Sequence, residues 1–193
     1  EYYGPNTLRK ALENSRNVST VRLLDKIGVN PVIEMAQKMG LSGPFQANLS
    51  LALGTSEVTL LGLTEAYGVL ANQGVLVEPI AIRLVTDSAG KILEQNHPLA
   101  SEVLKPETAY LTTNILKGVI NSGTGQNARV LNRPVAGKTG TTNDYQDAWF
   151  IGFTPRLAAG VWVGLDNHQT IGARETGARA ALPIWLEFMQ KAL

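Results

Sequence analysis

The segment Pro134-Val-Ala-Gly-Lys138-Thr139-Gly140-Thr141-Thr142 constrains the fold most, because it runs an apolar strand straight into a cation, hydroxyls and a glycine. That combination suits a strand edge along which a carboxylate-ended peptide binds. Lys138 supplies a fixed positive charge, Thr139 and Thr141 supply hydroxyl donors, and Gly140 has no side chain to stop another backbone approaching closely. An extended ligand can then add as an extra strand.

The rest of the composition narrows the class. A chain of 193 residues that is 44% apolar buries a substantial core and is expected to be one domain. With 17 basic residues against 16 acidic ones, scattered along the chain, a phosphate-tracking surface is not expected, so nucleic acid is not a partner. No cysteine is present, which excludes disulfides and thiolate chemistry. No run approaches the roughly 20 apolar residues of a membrane helix, so no membrane segment is expected within this chain. The opening, Glu1-Tyr-Tyr-Gly-Pro-Asn6, lacks an initiator Met and reads as a piece cut from something longer.

Along the chain, helical patterns come first. Helices are expected over Thr7 to Asn14, Val18 to Ile27 with Gly28 as C-cap, Pro31 to Met39 ended by Gly40, and Glu57 to Asn72 capped by Thr55 or Ser56. The pattern then changes. The β-branched run Val75 to Val85 and Lys91 to Glu94 read as a hairpin turning at Ser88–Gly90. Lys105-Pro106-Glu107 opens a helix through Tyr110, Leu111, Ile115, Leu116 and Val119, stopped by Ser122-Gly123-Thr124-Gly125. Three strands are expected at Val135–Thr142, Ala148–Thr154 and Ala158–Leu165, forming a small antiparallel meander. A last helix, from Arg174 or Thr176 to Leu193, would cover one sheet face with Leu182, Ile184, Trp185, Phe188 and Met189; Pro183 kinks it or marks its true start.

Several chemistries are set aside on the residues themselves. Gly137-Lys138-Thr139 has the ending of a phosphate-binding P-loop, but that motif needs glycine at 132, where the chain has Asn132, and Pro134 removes a loop N–H. The only histidines, His97 and His168, fall in loop patterns, and neither a metal site nor a cofactor is expected. Ser15-Arg16-Asn17, by itself, is an ordinary helix junction in which Ser or Asn caps the next helix. Paired with Lys138 it reads differently, because serine enzymes built on Ser-x-x-Lys, Ser-x-Asn and Lys-Thr-Gly place these elements around one cleft in that chain order.

The stretches Ala11-Leu-Glu-Asn-Ser-Arg-Asn-Val-Ser-Thr-Val-Arg22 and Gly137-Lys-Thr-Gly-Thr-Thr-Asn-Asp144 resemble the transpeptidase domain of penicillin-binding proteins. Their flanks, Ile120-Asn-Ser-Gly-Thr-Gly-Gln-Asn-Ala128 and Ala148-Trp-Phe-Ile-Gly-Phe-Thr154, are similar to the bifunctional class A members. The resemblance implies serine acyl transfer on the D-Ala-D-Ala stem peptide of peptidoglycan, with β-lactams acylating the same serine. It assigns Ser15 to the proton-relay network that links the nucleophile's lysine to Lys138 and helps protonate the leaving amine. Asn17 would hold the substrate's amide oxygen and the nucleophile's lysine. Lys138 would supply positive potential, Thr139 and Thr141 would bind the terminal carboxylate, Thr141's N–H would be an oxyanion donor, and Gly140 would keep the strand open.

The resemblance also implies what this chain lacks. The nucleophile should lie upstream of Ser15; the only literal Ser-x-x-Lys, Ser88-Ala-Gly-Lys91, follows Ser15 and falls on a hairpin turn, where the two side chains do not stack. The expected fold is α+β, an antiparallel sheet flanked by helices with a helical subdomain, β-lactamase/transpeptidase-like, its N-terminal strands missing. The chain would be the C-terminal portion of a single domain, with a helical subdomain over about 1–74, the hairpin over about 75–95 and the remainder over about 105–193. An upstream segment of the same domain, or a dimer mate, would then cover the edge of Ala158–Leu165. The parent would work outside the cytoplasm, anchored by an N-terminal transmembrane helix. The competing reading is a non-catalytic domain that binds cell-wall peptides or a protein along the Lys138–Thr141 edge.

Overall fold

The computed structural model describes residues 4–193; Glu1 to Tyr3 of the opening segment lie outside them. Helices fill the first third. α1 (Leu8–Glu13) begins where the Thr7 hydroxyl accepts the Lys10 N–H, α2 covers Asn17–Ile27, and α3 covers Val29–Lys38. Gly28, at φ +87°, separates α2 from α3. α4 (Leu60–Ala71) starts later than the sequence predicts, because Thr59 rather than Thr55 or Ser56 caps it, its hydroxyl accepting the Gly62 N–H at 3.1 Å. A 3₁₀ turn over Leu49–Leu53 precedes it.

The predicted hairpin is half right. β2 (Leu84–Thr86) pairs antiparallel with β3 (Ile92–Gln95) around the Asp87 turn. The run 75–85 is not one strand, however. β1 (Val75–Val77) instead pairs with β4 (Ala100–Glu102), because Pro79 has no N–H for a ladder and forces the run to break.

α5 (Pro106–Ser122) carries Pro106 in its first turn and buries Ala109, Leu116, Val119 and Ile120. Tyr110 and Leu111, on the same helix, are exposed. The meander follows as read: β5 (Ala136–Thr141), β6 (Asp147–Phe153) and β7 (Ala158–Gly164) form an antiparallel sheet in the order β5-β6-β7. Thr154 closes the β6–β7 turn, its hydroxyl accepting the N–H groups of Arg156 and Leu157. A π turn over Gly177–Ala181 leads into α6 (Leu182–Ala192), whose first turn contains Pro183, so the proline marks the start and does not kink the helix.

Three layers result. Alternation places Lys138, Ile151 and Gly160 on one sheet face and Thr139, Phe150 and Val161 on the other. Against the first face pack α4 and α5, in a core of Leu70, Leu116, Val119, Ala136 and Phe153 with Tyr67 edge-on to the Phe153 ring at 6.3 Å. Against the second packs α6, where Leu182, Trp185 and Met189 are fully buried and each contributes about 1.5–3 kcal/mol of apolar transfer. Trp185 meets Phe150 edge-on at 5.0 Å and donates its indole N–H to the Ala159 carbonyl. Ile184 and Phe188, expected on that face, are 52% and 51% exposed. The fold is α+β, with β5 at one edge of its main sheet.

Candidate active site

The edge strand β5 carries the site, and the turn between α1 and α2 comes to meet it. That turn is tight. Ser15 sits at φ +51°, a left-handed conformation that L side chains seldom adopt, held by N–H groups of Ser15 on Leu12 O (3.2 Å) and Arg16 on Ala11 O (2.8 Å). The Ser15 hydroxyl thereby faces β5, and Lys138 Nζ donates to its Oγ. Lys138 Nζ also donates to the Thr139 carbonyl at 2.8 Å. Its position on the helix-covered face removes it from water, which pulls its pKa down from the ordinary 10.5 to about 8.

The two threonines of the strand point to the opposite face, each with a donor or acceptor already in place. Thr139 Oγ1 lies 2.6 Å from Thr124 Oγ1, just beyond the C-terminus of α5. Thr141 Oγ1 accepts the Gly177 N–H at 3.0 Å. Gly140 lies between them with no side chain, and a Cβ there would press on Trp149 Cβ at 3.1 Å. Beyond Thr141 a recess of about 610 Å³ opens, lined by Thr142, Asn143, Asp144, Tyr145, Thr170 and Ala173.

The structure thus joins Ser15 to Lys138 and sets Thr139, Gly140 and Thr141 beside them on one strand. Asn17 is exposed in the first turn of α2, and among the described residues no hydrogen bond ties its side chain to Ser15 or Lys138. Ser88 and Lys91 lie in the β2–β3 turn, where Asp87 Oδ1 accepts the N–H groups of Ala89 and Lys91 at 2.9 Å each; they form no helical pair. Three supporting residues lie outside the site residues that the motifs single out. Glu13, only 4% exposed, pairs with Lys10 at 3.3 Å, accepts from the Ser122 hydroxyl, and through its carbonyl accepts the Thr124 N–H. It ties the Ser15 turn to the end of α5. Thr124 and Gly177 complete the hydroxyl partners. Thr124 had one signal in the sequence: a hydroxyl residue between two glycines is more than a helix stop needs.

The open strand edge thus carries a serine hydroxyl and a partly desolvated lysine on one face and two threonine hydroxyls on the other, donors of the kind that suit an extended, anion-ended ligand. Residues 1–190 match the family described as penicillin binding protein transpeptidase domain, and the chain belongs to that family. It is similar to "Penicillin-binding protein 1A" of Aquifex aeolicus (strain VF5), 49% identical over 189 residues, covering 97% of this chain and 26% of that protein. "Penicillin-binding protein 1A" of Neisseria cinerea is 40% identical over 199 residues, covering 100% of this chain and 25% of that protein. The chain therefore spans about a quarter of the length of these curated relatives. Among solved structures, penicillin-binding protein 1A from Haemophilus influenzae superposes with a TM-score of 0.94 at 30% identity, over 100% of this chain and 35% of that one. The PonA1 protein from Mycobacterium tuberculosis in complex with penicillin V gives 0.86 at 25% identity, over 100% and 58%.

Proposed function

We propose that this chain is the C-terminal portion of one D,D-transpeptidase domain, acting on peptidoglycan stem peptides and open to acylation by β-lactams. The observation that carries this reading is the hydrogen bond from Lys138 Nζ to Ser15 Oγ, between residues 123 apart in sequence. A serine supplied from upstream attacks the carbonyl of the penultimate D-Ala, the C–N bond breaks, and the terminal D-Ala leaves as an amine. The enzyme ester is then taken by an acceptor amine. Ser15 passes a proton toward the leaving amine, with Lys138 holding its hydroxyl and supplying positive potential. Asn17 holds the substrate amide oxygen and the nucleophile's lysine. Thr139 and Thr141 bind the terminal carboxylate, and the Thr141 N–H is one oxyanion donor, worth roughly 3 kcal/mol in such sites. Penicillin V in the complex of the PonA1 relative supports the β-lactam assignment.

By the same reading the covalent step has no agent in residues 1–193, and an upstream segment of the domain completes both the site and the open edge of β7. The complete protein works on the outer side of the cytoplasmic membrane, held by an anchor outside this chain; no helix among the described residues is long and apolar enough to cross a membrane. A fluorescent penicillin tests this directly. The full-length protein should label stably, and this chain alone should not, since loss of the nucleophile costs about a million-fold in comparable serine sites. Stable labelling of the isolated chain would refute the upstream nucleophile, and an unlabelled full-length protein would refute the activity.

A further inference from the structure

We propose that Thr124 is a positioning residue that frees the Thr139 hydroxyl proton for the ligand's terminal carboxylate, an inference that rests on the transpeptidase reading of Thr139. A hydroxyl has one proton and two lone pairs, so in the 2.6 Å pair of Thr124 Oγ1 and Thr139 Oγ1 only one oxygen donates. If Thr139 donates, it shows an incoming carboxylate nothing but lone pairs. If Thr124 donates, the Thr139 proton is free. A carboxylate, which only accepts, selects the second arrangement and completes a chain from Thr124 to Thr139 to ligand, in which each bond polarises the next.

Thr141 shows the same device built from backbone. Its Oγ1 already accepts the Gly177 N–H at 3.0 Å, which leaves its own proton to be given away. Thr139 has no backbone donor of that kind, and Thr124 takes the place of one. Among the described residues, no other hydrogen bond engages Thr124 Oγ1. The backbone that presents it is fixed from both sides. The Thr124 N–H donates to the Glu13 carbonyl at 3.2 Å, the Gly125 N–H donates to Val119 O at 3.0 Å, and a Cβ at Gly123 would lie 2.2 Å from Glu13 O. A threonine hydroxyl held this firmly, with a single partner that is itself a site residue, has no evident structural duty.

The test uses the full-length protein and two probes, a penicillin with its free carboxylate and the methyl ester of the same penicillin. The quantity read is the ratio of their second-order acylation rates. Thr124→Val should lower the rate for the free acid by roughly three- to tenfold and leave the ester rate unchanged, while Thr124→Ser keeps the wild-type ratio within about twofold. If the valine variant does not fold, Thr124→Ala is read in its place. An equal fall for both probes would mean that Thr124 only supports the fold, and an unchanged ratio would mean that its hydroxyl is idle; either overturns the proposal. Thr139→Val separates the levels: if it leaves the ratio intact, the carboxylate role of Thr139 is wrong and this inference falls with it. A loss with Thr139→Val but not with Thr124→Val sinks this inference alone.

Discussion

Lys138 is the residue on which the electrostatics turn. Burial lowers its pKa from 10.5 to about 8, so between these values the unfolded chain holds a proton that the folded chain has released. The penalty of burying the charge is full below pH 8 and is relieved as pH rises to 10.5, so this residue's contribution to stability improves across that window. Denaturant midpoints of the chain and of Lys138→Met should therefore converge on raising the pH from 8 toward 10.5; parallel curves would show that the lysine is not desolvated. Function moves the opposite way. Above about pH 8 the cation is lost, and acylation of the full-length protein by a free-acid penicillin should slow relative to its methyl ester. Glycine matters at Gly177, where a Cβ would lie 2.3 Å from Trp149 O and 2.5 Å from Gly140 O. Both obstacles are backbone, so Gly177→Ala should cost about 1–3 kcal/mol in thermal or denaturant unfolding. The sequence marks Lys138, Thr139, Thr141, Ser15 and Asn17 by motif. It does not mark Glu13 or Gly177, because what they contribute is contact with segments far away in the chain.

At the scale of elements, α6 shows what periodicity delivers and where it stops. Its apolar residues were all expected against the sheet, yet only Leu182, Trp185 and Met189, spaced three and four apart, are buried. Ile184 and Phe188 lie to the side of that stripe. The difference is measurable: Trp185→Ala should cost about 3–5 kcal/mol, through lost burial and a lost bond to Ala159 O, and Phe188→Ala should stay within about 0.5 kcal/mol. A large loss at Phe188 would mean that the exposed flank of α6 is covered in solution. The strands teach a similar lesson. β5, β6 and β7 were legible within a residue or so because β-branched and aromatic runs are bounded by turn residues. The pairing of β1 with β4 was not legible, because twenty-odd residues intervene and no local signal reports a partner so distant.

For the whole molecule the open question is the far edge of the sheet. β7 has β6 as its only strand neighbour among the described residues, and Trp162 on it is 39% exposed. Unpaired edges with apolar side chains recruit other strands, so the isolated chain should self-associate, and sedimentation should show mass rising with concentration; a monomer at every concentration would mean the edge is protected by its own twist and side chains. The amino-acid sequence determined the family, the succession from early helices to the β5–β7 meander and closing helix, and the motif residues proposed to carry the chemistry, since those follow from local pattern and from motifs written in consecutive residues. The meeting of the Ser15 hydroxyl with Lys138 follows the expectation from the motifs, whereas only the tertiary structure decided that Glu13 fastens that turn to α5 and that Thr124 lies against Thr139. Such meetings depend on how α5 and β5 pack together, and packing is a property of the assembled core that no stretch of neighbouring residues contains.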